Sequence, residues 1–219
     1  MNILNFLESL AQNNHRDWFE SHRNEYEIAK SELVSLVSDL IVGITKFDPA
    51  ISNLDPKKCI FRINRDIRFS HDKSPYKLSM SAYMAKEGKS SQFAGYYIHF
   101  EPGKSFIGGG IYSPQPEVQQ AIRNEIYFNS TDFLNIIEND SFKKTFGTLM
   151  NEKYLRIPKA FPADFNHGDL LKFKHYVASC QLPESILQLS DIAVFTLDVF
   201  KELYPLNEFL NRAIVNAGN

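Results

Sequence analysis

The sequence predicts an α+β fold: a mostly antiparallel central sheet with helices packed on one face, a long N-terminal helix and a helical C-terminal part. Three observations predict it. Apolar residues recur at the 3.6-residue helical period up to residue 46 and again after residue 116. Between these stretches the chain alternates at period two and carries a hairpin signature. No repeat, low-complexity tract or linker-like run divides the 219 residues. Residues 1–219 therefore read as a single α+β domain, long enough to bury roughly 70% of the unfolded surface.

In chain order, Ile3, Phe6, Leu7 and Leu10 mark a short amphipathic helix ended by Asn13-Asn14. A long helix is expected from about Arg16 to Lys46, with Phe19, Tyr26, Ala29, Leu33, Leu36, Val37, Leu40, Ile41 and Ile44 as its apolar stripe. Trp18 falls in its first turn as a packing residue. Phe47-Asp48-Pro49 stops it. From Phe61, period-two reading sets Phe61, Ile63, Ile67 and Phe69 opposite Arg62, Asn64, Asp66 and Arg68, which is the pattern of a strand with one buried face. Arg65 intrudes on the apolar side and marks a bulge, a turn or an ion pair with Asp66 or another acid. Ser74-Pro75 ends the segment, because the residue before proline is pushed to extended or turn geometry.

Residues 78–86 read as a strand with Glu87-Gly88-Lys89 as its turn. GYYIHFEP and SFIGGGIY flank Gly103-Lys104 as a hairpin. Gly108, Gly109 and Gly110 mark a bulge or a close backbone approach, and match neither a P-loop nor a dinucleotide fingerprint. Helical periodicity returns with Val118, Ala121, Ile122 and Ile126, then with Phe133, Ile136 and Ile137, then with Phe142, Phe146 and Leu149. Residues 155–176 read as a basic loop. A last helical region begins near Pro183, is interrupted by Pro205, and resumes with Phe209, Leu210, Ala213 and Ile214.

Charge is the functional signal. The chain carries a formal net charge of −2, yet residues 57–77 hold seven basic residues against two acids, leaving the remainder at −7. Guanidinium groups two residues apart on a strand lie about 6–7 Å apart, a spacing that suits an anion held by two forks. Arg62, Arg65, Arg68, Lys73, Tyr76 and Lys77 are the candidate anion-binding residues, supported by Asp66 and Asp72. Lys159 and one of Lys172 or Lys174 are expected to fold back and complete the same positive site. The bland alternative is that the two aspartates pair with the arginines on a solvated face. His99 and Glu101, at i, i+2 on the hairpin, read as a hydrogen-bonded pair supporting the site. A metal site would need three or four ligands, so no metal and no cofactor is expected.

No zinc-protease, nucleophile-elbow or Cys/His nucleophile pattern is present in the sequence, so no catalytic residue is assigned. The best reading is an anion-binding domain for a phosphorylated small molecule or nucleotide. One alternative is a nucleic-acid binder in which Tyr76, Tyr96 or Tyr97 stacks on bases. Another is a non-catalytic module for an acidic partner chain. A cytoplasmic, non-membrane protein is expected: no apolar run approaches the ~20 residues of a membrane span, the N-terminal stretch lacks the basic start of a signal peptide, and the two cysteines lack metal or redox spacing.

The same segments carry a resemblance. RINRDIRFSHDKSPYK, preceded by NNHRDWFESHRNEYE (Asn13 to Glu27) and followed by GYYIHFEPGKSFIGGGIYSP (Gly95 to Pro114), is similar to the domain-of-unknown-function family 2461. LRIPKAFPADFNHGDLLKFK (Leu155 to Lys174) extends the likeness over most of the chain. Ala160 departs from the Pro-Lys-Gly that the family motif usually has. The resemblance implies no activity, cofactor or substrate.

Overall fold

A computed structural model describes residues 1–187 and 192–218. Residues 188–191, which fall inside the helical region expected from Pro183, lie outside the described residues. Four antiparallel strands form the sheet in the order β1-β2-β3-β4: β1 Met80–Ala85, β2 Gly95–Phe100, β3 Phe106–Ile111 and β4 Tyr176–Gln181. Around it are α1 (Asn2–Gln12), α2 (Arg16–Ser21), α3 (Arg23–Ile44), the single turn α4 (Pro56–Cys59), α5 (Pro116–Phe128), α6 (Ser130–Ile137), α7 (Asp140–Phe146), the single turn α8 (Glu184–Leu187) and α9 (Ile192–Ala217). The α+β class, the antiparallel sheet and the hairpin at Gly103-Lys104 hold as the sequence predicts.

Period two divides the sheet cleanly. Ala82, Met84, Tyr96, Ile98, Phe100, Ile107, Tyr176 and Ala178 are buried on one face, in the same core as the stripes of α3 and α9. Burying such side chains is the main term holding the layers together, about 1.5–3 kcal/mol for each large one. Polar groups then fix α9 against β2. The Asn211 side-chain amide both accepts from and donates to the Ala94 backbone, at 2.7 and 3.2 Å, and Asn207 donates to the Gly95 carbonyl at 3.1 Å. The Tyr96 hydroxyl donates to Asp48 at 2.9 Å. The close approach announced by the glycines is real: a Cβ on Gly109 would lie 2.1 Å from the Gly95 carbonyl oxygen and 2.5 Å from Leu203 of α9.

Several expectations are corrected. The long helix breaks at His22, whose ring stacks on Trp18 at 4.1 Å and whose Nδ1 lies 2.8 Å from the Trp18 carbonyl oxygen, competing with helix continuation. Pro205 does not interrupt α9. It lies on the exposed side, where water can satisfy the carbonyl freed by the missing N–H. β4 was hidden behind the basic loop and begins at its end. The largest correction concerns residues 61–69, which form no strand. Ile60 makes a single bridge to Ala82 of β1, and the chain then leaves the sheet as a loop closed at its neck by the Asn64–Tyr76 bridge. There the Arg65 amide donates to the Pro75 carbonyl at 2.9 Å and the Lys77 amide to the Ile63 carbonyl at 2.8 Å. Local Arg–Asp and Asp–backbone bonds satisfy the loop better than a ladder would, and Phe69, expected on the buried face, is 94% exposed.

Candidate functional site

The helices cover one face of the sheet; the other holds a cleft of about 490 Å³, within the usual range for small-molecule sites. Register explains its shape. One cross-strand row reads Tyr83, Tyr97, Gly108, Ser179, and the next reads Ala85, Gly95, Gly110, Val177. Aromatic side chains thus stand over β1 and β2, while β3 contributes bare backbone, so the floor falls away between them. At Gly110 the backbone has φ +101°, where an added Cβ would sit 1.9 Å from the Tyr176 carbonyl oxygen; only glycine tolerates that geometry. Phe61, Phe93, Phe106 and Tyr112 form the walls, with Lys89 at the rim.

Two phenols and one imidazole are held firmly. The Tyr83 hydroxyl lies within hydrogen-bond reach of the Phe93 and Gly110 carbonyls, at 3.0 and 2.8 Å, and burial raises its pKa. On β2 a hydrogen-bonded chain runs along the open face. The Tyr97 hydroxyl is 3.0 Å from His99 Nδ1, and His99 Nε2 is 3.1 Å from Glu101. With the imidazole proton on Nε2 and donated to Glu101, Nδ1 accepts from Tyr97, and all three groups are satisfied. Burial raises the Tyr97 pKa, so this phenol is a hydrogen-bond donor near neutral pH. Phe106 stacks on His99 at 4.7 Å and braces the chain.

Lys89 lines the rim, and Lys77 stands beside Phe61 just outside the lining. Lys77 and Lys89 each place their ammonium 5.9 Å from the centre of the Phe61 ring. Lys89 donates to the Ile60 carbonyl at 2.7 Å and keeps two further donors. The Lys77 pKa is lowered, first by burial and then by the nearby Arg62 charge. Among the described residues, Arg62, Lys77 and Lys89 pair with no carboxylate.

The remaining sequence candidates divide. Arg65 is the strut of the loop, bonded to Asp72, to the Ser70 hydroxyl at 3.4 Å and to the Ser74 carbonyl at 3.3 Å. Asp72 is held at a pKa of about 2 by hydrogen bonds from Ser74 and Arg65. Arg68 grips Asp66 with two bonds of 2.9 and 2.7 Å, which lower the Asp66 pKa. Lys73 donates to the Ile67 carbonyl at 3.0 Å. Tyr76 is buried, stacked on Phe19 at 4.0 Å, and its backbone is clasped from both sides by the Asn14 side chain at 3.1 and 3.0 Å. It is a packing residue, and Tyr96 is wholly buried as well; neither is available for stacking on bases.

Arg62 and Arg68 share no strand face. Lys159 is not brought to the first cluster either. Ile60 and Phe61 border β1, the first edge of the sheet, whereas Met150 borders β4, the opposite edge, donating to the Val177 carbonyl at 2.8 Å. Lys159 belongs to the segment beyond that second edge, beside α5, where Phe161 packs on Tyr127. The pair expected of His99 and Glu101 is present. Sequence reasoning passed over Lys89, Tyr83 and Tyr112, because a lysine in a turn and single tyrosines carry no pattern of their own. The usable signal was the facing of Tyr97 by a glycine.

A family model described as a conserved hypothetical protein (DUF2461) matches residues 2–209. The chain belongs to this family. Neither the curated proteins nor the solved structures give a match. No described helix is long and apolar enough to cross a membrane, and among the described residues no cluster of three metal-ligating side chains is present.

Proposed function

We propose that this DUF2461 member is an anion-binding protein whose ligand is a phosphorylated small molecule with a planar part, of the size of a mononucleotide, held in the open-face cleft. The observation that carries the reading is the pair of ammonium groups, Lys77 and Lys89, flanking Phe61, with the Arg62 charge acting on Lys77 and no carboxylate among the described residues paired with any of the three. Like charges brought together repel by about 1 kcal/mol or more per close pair at a surface dielectric, and an anion relieves that repulsion. The planar part would lie on the glycine floor beside Phe61 and Tyr97, whose rings meet edge to face at 6.3 Å and form one wall for it. Polar edges of the ligand would meet the Tyr97 hydroxyl, oriented by His99 and Glu101. This moves the anion site from the loop at Arg65–Lys73, whose cations are spent on Asp66, Asp72 and main-chain carbonyls, to its base at Phe61 and Lys77. A reducing, cytoplasmic setting goes with the reading, since Cys59 and Cys180 are both free thiols.

The test is calorimetric titration with AMP and with adenosine. Saturable AMP binding that weakens at least tenfold on removal of the phosphate supports the reading. Equal affinity for the two, or none for either, opposes it.

A further inference from the structure

The most telling uncompensated charge lies at the other edge of the sheet. Arg123, on α5, is only 8% exposed, and a buried charge is ordinarily paired. Its Nε donates to the Leu171 carbonyl at 2.9 Å. Beyond that bond it meets no acid among the described residues. Its guanidinium lies 5.2 Å from the centre of the Tyr154 ring. Behind it is the Tyr176 hydroxyl, fully buried and without a hydrogen-bond partner among the described residues. Burial raises the pKa of that phenol, while the charge of the neighbouring Arg123 and a long contact with its side chain pull it back down; the contact falls short of a well-formed hydrogen bond.

Arg123 opens into a basin of about 620 Å³ lined also by Lys153, Tyr154, Arg156 and Lys174. No carboxylate lines it. Asp169 and Glu152 hold Lys153 and Lys174 from outside, Glu152 at 2.8 Å from the Lys174 ammonium. The Lys174 ammonium also lies 5.5 Å from the centre of the Tyr154 ring, so that ring is flanked by two cations. The geometry points to a second oxyanion site, in which the two terminal nitrogens of Arg123 form a fork on the phosphate of a phosphomonoester and Arg156 and Lys174 close over it. Tyr154 offers the carbon-rich part of the ligand a ring to lie against. This site is separate from the open-face cleft and does not depend on it.

The experiment is titration of the full chain with inorganic phosphate and with phenyl phosphate, followed by calorimetry and by the shift in thermal midpoint. Saturable binding of both is expected, with phenyl phosphate tighter through Tyr154. Arg123→Met should lower affinity more than about tenfold, and because it also removes the donor to the buried Leu171 carbonyl, the thermal midpoint of the free variant is measured alongside. Arg156→Ala, at an exposed position, should weaken binding severalfold and so reports even if the Arg123 variant fails to fold. Titration in a Lys89→Ala background removes the cleft's contribution, and the saturable binding that persists there is that of the Arg123 site. Absence of saturable binding to the native protein overturns the inference. So does affinity unmoved by both Arg123→Met and Arg156→Ala, or affinity lost with Lys89→Ala alone.

Discussion

The Lys89 ammonium donates to the main-chain carbonyl of Ile60 at 2.7 Å, tying the turn after β1 to the segment that enters it. The bond fixes one end of the cleft and holds Phe61 beside two lysines. Lys89 lines the cleft, whereas Lys73 and Arg68 stand on the loop outside its lining.

That separation gives the first prediction. Lys89→Ala should lower AMP affinity about tenfold, the size expected for one charge-assisted hydrogen bond. Arg68→Ala and Lys73→Ala should leave it within about twofold, because each of those side chains serves the loop itself. Calorimetry on the three variants decides between the cleft and the exposed loop.

A second prediction concerns protons. Burial and Arg62 depress the Lys77 pKa, and a bound anion favours the charged ammonium and raises it again. Binding should therefore take up protons in the alkaline window at and just below the usual lysine pKa of about 10.4, and affinity should fall as pH rises through that window. Titrations in buffers of different ionisation enthalpy measure the uptake. Lys77→Met should abolish it.

Acid should act on the loop. The Asp72 pKa is about 2, below an unfolded value of about 3.9. A depressed carboxyl contributes stability that is present above the unfolded pKa and is lost as pH falls through the folded one. Amide exchange at Arg65 and Ser74 should accordingly accelerate between about pH 4 and pH 2, ahead of the sheet. Asp72→Asn should show fast exchange already at neutral pH.

At the centre of the fold, Gly109→Ala should destabilise by about 3 kcal/mol, the upper end of the usual cost of overpacking, since the Gly95 carbonyl at 2.1 Å is backbone that cannot easily yield and Leu203 lies at 2.5 Å. Urea denaturation measures it. A loss under about 1 kcal/mol would mean that β2, β3 and α9 are less tightly apposed than described.

Much of this architecture was legible in the sequence because local pattern and tertiary burial agree there. The stripe from Ala29 to Ile44 and the alternation from Tyr96 to Phe100 each point a continuous apolar set at one core. The segment from Phe61 to Phe69 misled because its alternation is genuine while its polar groups find partners within the loop. Asp72 answers Arg65, and Asp66 answers Arg68. Period two reports a repeating pattern, but it cannot report that hydrogen-bonding needs are met seven residues away. β4 was missed for the opposite reason: Tyr176, Ala178 and Cys180 alternate over a span too short to stand out beside the basic loop before it. For the site, the sequence indicated cations at the edge of β1 and the His99–Glu101 pair. Which cations face a cleft depends on the bridge that docks Ile60 on β1 and on the turn that carries Lys89, and those are set by packing. Arg123 gave no sequence signal at all, being one arginine on an amphipathic helix whose burial follows from residues 154–176 folding over it.

The most direct measurement is a crystal structure of the protein soaked with AMP. The phosphate is expected at hydrogen-bonding distance from Lys89, within reach of Lys77 and Arg62, with the base lying against Phe61 over Gly108. A nucleotide found only on the exposed Arg68 loop, or a cleft still empty at saturating AMP, would contradict it.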